Sequence, residues 1–370
     1  MIKLREIAKV TAGQAAPKEF ADEGYPFIRA GHLEGLLSNL SLNDIPKVSE
    51  EVAQKKRLKK IPKGTILFAK SGMSATKNRV YITERESYFV SHLAGILPSE
   101  RFSNSYLARF LSWYNPSKLI LDAAYPSIRL EDINNLSIPL PPLLQQKKIA
   151  AILDAADEYR QKTKALIAKY DELTQSLFLD MFGAPVTNPK GFELSKLGLL
   201  VENKDSKRVP VKSSDRDNMN GQFPYYGASG IIDYVDDFTH EGNNLLIGED
   251  GANLLARSTP IAFIAKGQYW VNNHAHVLGY NGKALLVFLE FFINLIDLSP
   301  YVSGSAQPKL NRKNMDQIKV FCPPLELQNQ FADRVQAIEA QKAQAQESLA
   351  KAEDLFNSLL QKAFKGELTS

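Results

Sequence analysis

Lysine, arginine, asparagine, glutamine and serine are the side chains that contact phosphates and base edges. In this chain of 370 residues they gather in four turn-rich stretches: KSGMSATKNR from Lys70, YPSIR from Tyr125, GANLLARS from Gly251 and SGSAQPKLNRKN from Ser303. The first two supply Lys70, Ser71, Ser74, Lys77, Arg79, Ser127 and Arg129 as candidate DNA-binding residues. The other two supply Asn253, Arg257, Ser305, Gln307, Lys309 and Arg312. PYYGASG, from Pro224, adds Tyr225 and Tyr226, rings able to stack on or contact nucleotides. A single polar loop is usually solvated surface. Loops of this kind at matching places in both halves of one chain argue for recognition.

Catalytic chemistry has little support. No GxGxxG follows a strand, and no GxxxxGK[ST], HExxH or CxxC is present. The methyl-transfer signature Asn/Asp-Pro-Pro-Tyr/Phe is missing, since the two Pro-Pro pairs follow Leu140 and Cys322 and precede leucine. His274 and His276 have a spacing that can chelate, but no third ligand accompanies them, and ordinary hydrogen bonding is the expectation. The GED at Gly248 reads as a turn. Neither a catalytic residue, a metal nor a cofactor is expected in this chain.

Bulk properties are those expected of a soluble globular protein. Hydrophobic content is 44% and charged content 23%, in the globular range. The net charge of +4 is too small to argue for nucleic acid by itself. QKKRLKKIPK, from Gln54, has the composition of a solvated face. The single cysteine, Cys322, fits a reducing cytoplasm. MIKLREIAKV has no apolar core of signal-peptide length. ALLVFLEFFINLIDL, from Ala284, is interrupted by Glu290, Asn294 and Asp297 and reads as a buried helix rather than a membrane span.

The elements that must position the loops occur twice. A constant shift of 182 positions aligns Pro126 with Pro308, Pro141-Pro142-Leu143 with Pro323-Pro324-Leu325, Gln146 with Gln328 and Phe182 with Phe364. Such self-similarity marks a tandem fold. Upstream the match survives in patches: ILFAKSG at Ile66 resembles LLIGEDG at Leu245, and YFVSHLAGIL at Tyr88 resembles YWVNNHAHVL at Tyr269. Strands are predicted at TILFAK, RVYIT and YFVSHLAGIL in the first copy, and at NLLIG, PIAFIA and YWVNNHAHVLGY in the second. Helices are predicted at YLARFLSWY and LLVFLEFFINLI.

Each copy ends in a long heptad. The first seam reads Ile149, Ile152, Ala156, Tyr159, Thr163, Leu166, Tyr170, Leu173, Leu177. The second reads Phe331, Val335, Ile338, Lys342, Ala345, Leu349, Ala352, Phe356, Leu359. Proline leads into each helix, and Gly183 and Gly366 follow them as left-handed caps. About 36 residues at 1.5 Å each make a rod of roughly 55 Å. The fold class is therefore α+β: two tandem mixed sheet/helix recognition domains (1–143 and 184–325) with two long helices (144–183 and 326–370) forming an antiparallel coiled coil.

In this combination the chain resembles the specificity subunit of a type I restriction–modification system. The resemblance covers essentially the whole chain. It is carried by PLPPLLQQKKIAAIL with PPLELQNQF, by the series PYYGASG, GEDG and WVNNHAHVL, and by SGSAQPKLN with YPSIRLED as a looser counterpart. The resemblance implies a subunit with no catalytic centre, whose two domains each read one half of a bipartite site in double-stranded DNA. It implies that the coiled coil sets their spacing and docks two modification subunits, with two restriction (motor-nuclease) subunits joining. S-adenosylmethionine, ATP and magnesium would belong to those partners. The family's recognition domains diverge too far for individual base-reading residues to be carried over. A stand-alone methyltransferase or nuclease, or a coiled-coil scaffold binding proteins, is the alternative.

Overall fold

The computed structural model describes residues 1–38, 40–217, 219, 221–304 and 307–368. The chain forms two compact units, Met1–Lys164 with Glu347–Ser370, and Ala165–Gln346. Two long helices, Leu143–Phe182 and Leu325–Lys365, each contribute to both units. The boundaries expected at 143, 183 and 325 thus mark helix ends, while the units divide within the helices.

In unit 1 the strands Val10–Ala12, Leu93–Ile96, Ile66–Ala69 and Val80–Ile82 lie side by side in that order, all antiparallel. A second sheet pairs Lys47–Val48 with Tyr25–Ile28, which runs parallel to Tyr88–Phe89. Unit 2 repeats the plan. Val201–Asn203, Ala275–Tyr280, Asn244–Gly248 and Ala262–Ala265 form one sheet, and Gly230–Val235, Phe223–Gly227, Gln268–Val271 and His240–Glu241 the other. The single strand expected at YFVSHLAGIL is split: Tyr88–Phe89 and Leu93–Ile96 belong to different sheets. YWVNNHAHVLGY is split in the same way, and the crossing points carry His92 and His274.

The helices Asn104–Tyr114 and Leu286–Leu295 bury their apolar faces beneath these sheets. Among the described residues no helix is long and apolar enough to cross a membrane. The repeated proline–glutamine word has a direct physical role. Gln146 is buried; its Oε1 accepts from the Ser103 N–H (2.9 Å) and its amide donates to the Pro141 carbonyl (2.8 Å). Gln328 does the same with the Leu285 N–H (2.8 Å) and the Pro323 carbonyl (2.8 Å). Each glutamine therefore ties the start of a long helix to the start of the sheet-packing helix, satisfying backbone groups that would otherwise be buried unpaired.

The long helices run antiparallel within each unit. In unit 1 Ile149, Ala150 and Leu153 share a core with Ala363 and Phe364, Arg160 lies 4.5 Å over the Phe356 ring, and Lys164 pairs with Glu353 at 2.9 Å. In unit 2 Lys342 pairs with Asp171, and Phe178 and Phe182 pack on Phe331 at 5.6 and 5.3 Å. All nine positions expected for the second seam are buried or half-buried. Gly183 adopts φ +81° and closes the first helix through its N–H to the Leu179 carbonyl (2.8 Å), as a left-handed cap does.

The first seam needs correction. Ile149, Ala156, Thr163, Tyr170 and Leu177 face inward, but Ile152, Tyr159, Leu166 and Leu173 are 41%, 55%, 44% and 49% exposed. The alternate inward positions are Leu153, Arg160, Ile167 and Thr174. A heptad counted from Ile149 accepts a step of three or of four, and the more apolar line lies on the outside. Arg160 is tolerated inside by stacking on Phe356 and pairing with Asp157 at 2.6 Å, and Thr174 by donating to the Tyr170 carbonyl at 2.9 Å. Leu173→Asp is accordingly expected to change unfolding free energy by less than about 1 kcal/mol. Urea denaturation checks this; a loss several times larger would return Leu173 to the seam.

Candidate nucleic-acid interface

In unit 1 the strand Ile66–Ala69 leaves its sheet into the loop that begins at Lys70. There three segments separated in sequence are stitched by backbone hydrogen bonds. The Lys70 N–H donates to the His92 carbonyl (2.8 Å), the Ile128 N–H to the Lys70 carbonyl (2.7 Å) and the Gly72 N–H to the Pro126 carbonyl (2.9 Å). Ser71 bridges Ser127, and its hydroxyl meets His92 Nδ1 at 2.7 Å.

Unit 2 builds the same junction with other side chains. The Glu249 N–H donates to the His274 carbonyl (2.8 Å), the Leu310 N–H to the Glu249 carbonyl (2.7 Å) and the Gly251 N–H to the Pro308 carbonyl (3.1 Å). Asp250 bridges Lys309, and its carboxylate meets His274 Nδ1 at 2.7 Å. Gly72 (φ +72°) and Gly251 (φ +104°) make the left-handed turn both junctions require, a conformation that a side chain disfavours. Ser71 and Asp250, His92 and His274, and Ser127 and Lys309 thus occupy equivalent places.

Beneath the second junction lies a set of ionisable groups, His276 buried and Asp205, Arg208 and Glu249 half-buried. Asp205 accepts from His276 Nδ1 (2.7 Å) and from the Val277 N–H (2.8 Å), and Arg208 reaches it at 3.4 Å. Arg208 also donates to Glu249 at 2.6 Å, and Lys309 reaches Glu249 at 3.2 Å. His276 Nε2 meets the Leu310 carbonyl at 2.8 Å, fastening the segment that carries Lys309. Burial pushes the Asp205 carboxyl upward, but the His276 hydrogen bond and charge, the Val277 N–H and Arg208 outweigh it and hold the group below its ordinary range. Glu249 is likewise raised by burial and lowered further by Arg208, His276 and Lys309. His274 and His276 do not converge: each has its own carboxylate, and among the described residues no group of three metal-ligating side chains forms.

Several sequence candidates are brought together at these junctions. Lys70, Ser71 and Ser127 sit in the first, with Ser74 and exposed Lys77 on the adjoining turn and exposed Arg129 directly before the helix Leu130–Asn134. Lys309 sits in the second, with exposed Gln307 beside it and Arg312 at the start of the helix Arg312–Asp316, where it makes a loose ion pair to Asp316 at 3.7 Å. Ser305 lies outside the described residues.

Other candidates are committed to the fold. The Tyr225 ring is 1% exposed and its hydroxyl accepts from the Val211 N–H at 2.9 Å, so it is a core residue. Tyr226 is half-buried against Phe263 and Tyr269. Arg257 donates to the Ile293 (3.2 Å) and Ile296 carbonyls at the end of the helix Leu286–Leu295, where a guanidinium caps orphan acceptors. Asn253 closes its own loop through Ser258 and Thr259. Arg79 is paired with Glu34 at 2.5 Å. Sequence reasoning passed over His92, His274 and Asp250 as interface residues, although the repeated words YFVSH and YWVNNH, and SG and EDG, mark their places.

A two-sheet unit ending in a long helix, built twice with the same loop junction, defines the class: a tandem recognition protein. The family model for the type I restriction modification DNA specificity domain matches residues 1–171 and 189–353, and the chain belongs to that family. A Haemophilus influenzae protein described as a type I restriction enzyme specificity subunit is 37% identical over 147 residues, which are 40% of this chain and 36% of that protein. The Methanocaldococcus jannaschii type I restriction enzyme MjaIX specificity subunit is 20% identical over 99% of this chain and 92% of its own length. The crystal structure of the type I restriction–modification S subunit from M. genitalium shares the fold, with a TM-score of 0.63, 17% identity and coverage of 98% and 95% of the two chains.

Proposed function

We propose that this chain is the DNA sequence-specificity subunit of a type I restriction–modification assembly, each unit reading one half of a bipartite target. The observation that carries this reading is the junction built twice in one polypeptide with the same backbone bonds and different side chains. A constant scaffold with variable tips is how one fold reads two unlike sequences. The exposed bases Lys77 and Arg129 in one unit and Lys309 and Arg312 in the other supply phosphate contacts.

The long helix pair serves as spacer and docking element. Ile152 and Tyr159 in unit 1, and Leu166 and Leu173 in unit 2, recur every seven residues outside the helix pair, an apolar line of the sort that a partner helix covers. The partners are modification subunits, with motor-nuclease subunits joining them in the cytoplasm; S-adenosylmethionine, ATP and magnesium act there, and this chain recognises without catalysing.

The test is binding of the full chain to DNA carrying its target, found by mapping methylated adenines in the host. Lys309→Ala and Arg312→Ala are each expected to weaken binding roughly three- to tenfold and to lower the salt slope by about one. Titrations between about 50 and 200 mM salt measure both. Affinity unchanged by both substitutions would remove this segment from the interface, and methylation of DNA by the lone chain would overturn the non-catalytic role.

A further inference from the structure

The DNA-facing loops of unit 2 contain a carboxylate that the reading above leaves without a task. Asp250 stands at the centre of the junction, its side chain 30% exposed, beside His274 at 50%. Phosphates repel an exposed carboxylate, so its presence there weakens non-specific binding. A carboxylate gains where it meets a donor, and the donors on base edges in the major groove are the amino groups of cytosine N4 and adenine N6. Asp250 is also well held for such a task. Its backbone bridges Lys309 on one side, and the 2.7 Å contact with His274 Nδ1 fixes the carboxylate on the other. A rigid acceptor discriminates between bases better than a mobile one.

Unit 1 supplies an internal comparison. At the same place the pair is Ser71 and His92, also 2.7 Å apart through Nδ1 and also open to solvent. The imidazole is kept and its partner changes from carboxylate to hydroxyl, which both donates and accepts. The backbone around the two pairs is hydrogen-bonded alike, so the side-chain difference is not imposed by folding. It is the kind of difference expected where two copies of one scaffold read different bases.

We propose that Asp250–His274 is a base-reading pair of unit 2 that accepts from the exocyclic amino group of a cytosine or adenine, with Ser71–His92 as its counterpart in unit 1. This rests on the DNA-reading assignment above. The pair determines specificity at one base position per half-site, whereas Lys309 and Arg312 contribute affinity at all sequences.

The experiment is selection of duplexes from a random-sequence pool by the full chain, followed by sequencing, for the wild type and for Asp250→Asn, Asp250→Ser and Ser71→Ala. Asp250→Ser places the unit 1 side chain on a backbone arrangement already seen to hold it, so it guards against a variant that misfolds. Wild type is expected to select a two-part motif. Asp250→Ser is expected to lose preference for cytosine or adenine at one position of one half by roughly ten- to a hundredfold, leaving the other half unchanged, and Asp250→Asn to move that position toward adenine, whose N6 and N7 a carboxamide meets with its acceptor and donor. Ser71→Ala is expected to alter one position in the opposite half. Unaltered motifs, or affinity lost evenly for every sequence, would overturn the pair while leaving the DNA-reading assignment standing. A wild type that selects no motif would overturn both.

Discussion

Phe178→Ala is expected to lower the unfolding free energy by about 3–5 kcal/mol, among the largest effects of any single truncation in this chain. Phe178 is fully buried near the end of the first long helix. Its ring centroid lies 5.0 Å from Phe182, 5.6 Å from Phe288 and 5.6 Å from Phe331. Three elements therefore meet on one side chain: both long helices and the helix that supports the sheet of unit 2. Aromatic clusters of this kind add edge-to-face contacts to the area they bury. A cavity at their centre cannot collapse without moving whole helices, which places the cost at the upper end for a phenylalanine truncation. Guanidinium denaturation at constant slope measures it. A loss below about 1 kcal/mol would mean that the ring is not the keystone of that junction. The shift of 182 positions matches Phe178 to Leu360 and its neighbour Phe182 to Phe364, which packs in unit 1 against Tyr106 at 5.5 Å, Phe110 at 5.5 Å and Trp113 at 5.4 Å.

The parts of this architecture written in local or periodic patterns could be read before folding. The shift of 182 positions aligns the starts of the long helices, Leu143 and Leu325, and of the sheet-packing helices, Asn104 and Leu286. The second seam is complete because its inward line, from Phe331 to Leu359, is also its most apolar line. The first seam is half legible, since Arg160 and Thr174 lie inside while Tyr159 and Leu173 lie outside. Neither polarity nor period reveals that a guanidinium has a ring to stack on. The loops behave likewise. Arg257 and Lys309 are both cations in polar turns, and only the helix end beside Arg257 tells them apart. Partners distant in sequence were least visible: Asp205 and His276 are 71 residues apart, and no short motif contains both.

Asp205→Ala is expected to cost about 3 kcal/mol and to weaken DNA binding through a residue that need not touch DNA. The side chain is 8% exposed and answers three donors: His276 Nδ1, the Val277 N–H and Arg208. Removing it leaves a buried backbone N–H unpaired and a half-buried guanidinium with half of its counter-charge, and breaking such a network costs more than its net worth in the intact protein. His276 also holds the Leu310 carbonyl, so a loosened ring releases the segment bearing Lys309. The pH dependence separates this role from simple packing. The folded-state carboxyls of Asp205 and Glu249 are both held below their ordinary range, so between the folded and unfolded values the unfolded chain binds more protons. Their contribution is complete above the ordinary carboxylate range near about 4 and is lost as pH falls through the lowered folded values. Wild-type stability should therefore drop on acidification more steeply than that of Asp205→Ala, which lacks the Asp205 contribution. Urea midpoints recorded down the acid limb decide it: parallel curves for the two proteins would show that Asp205 supports the junction by shape alone, not by charge.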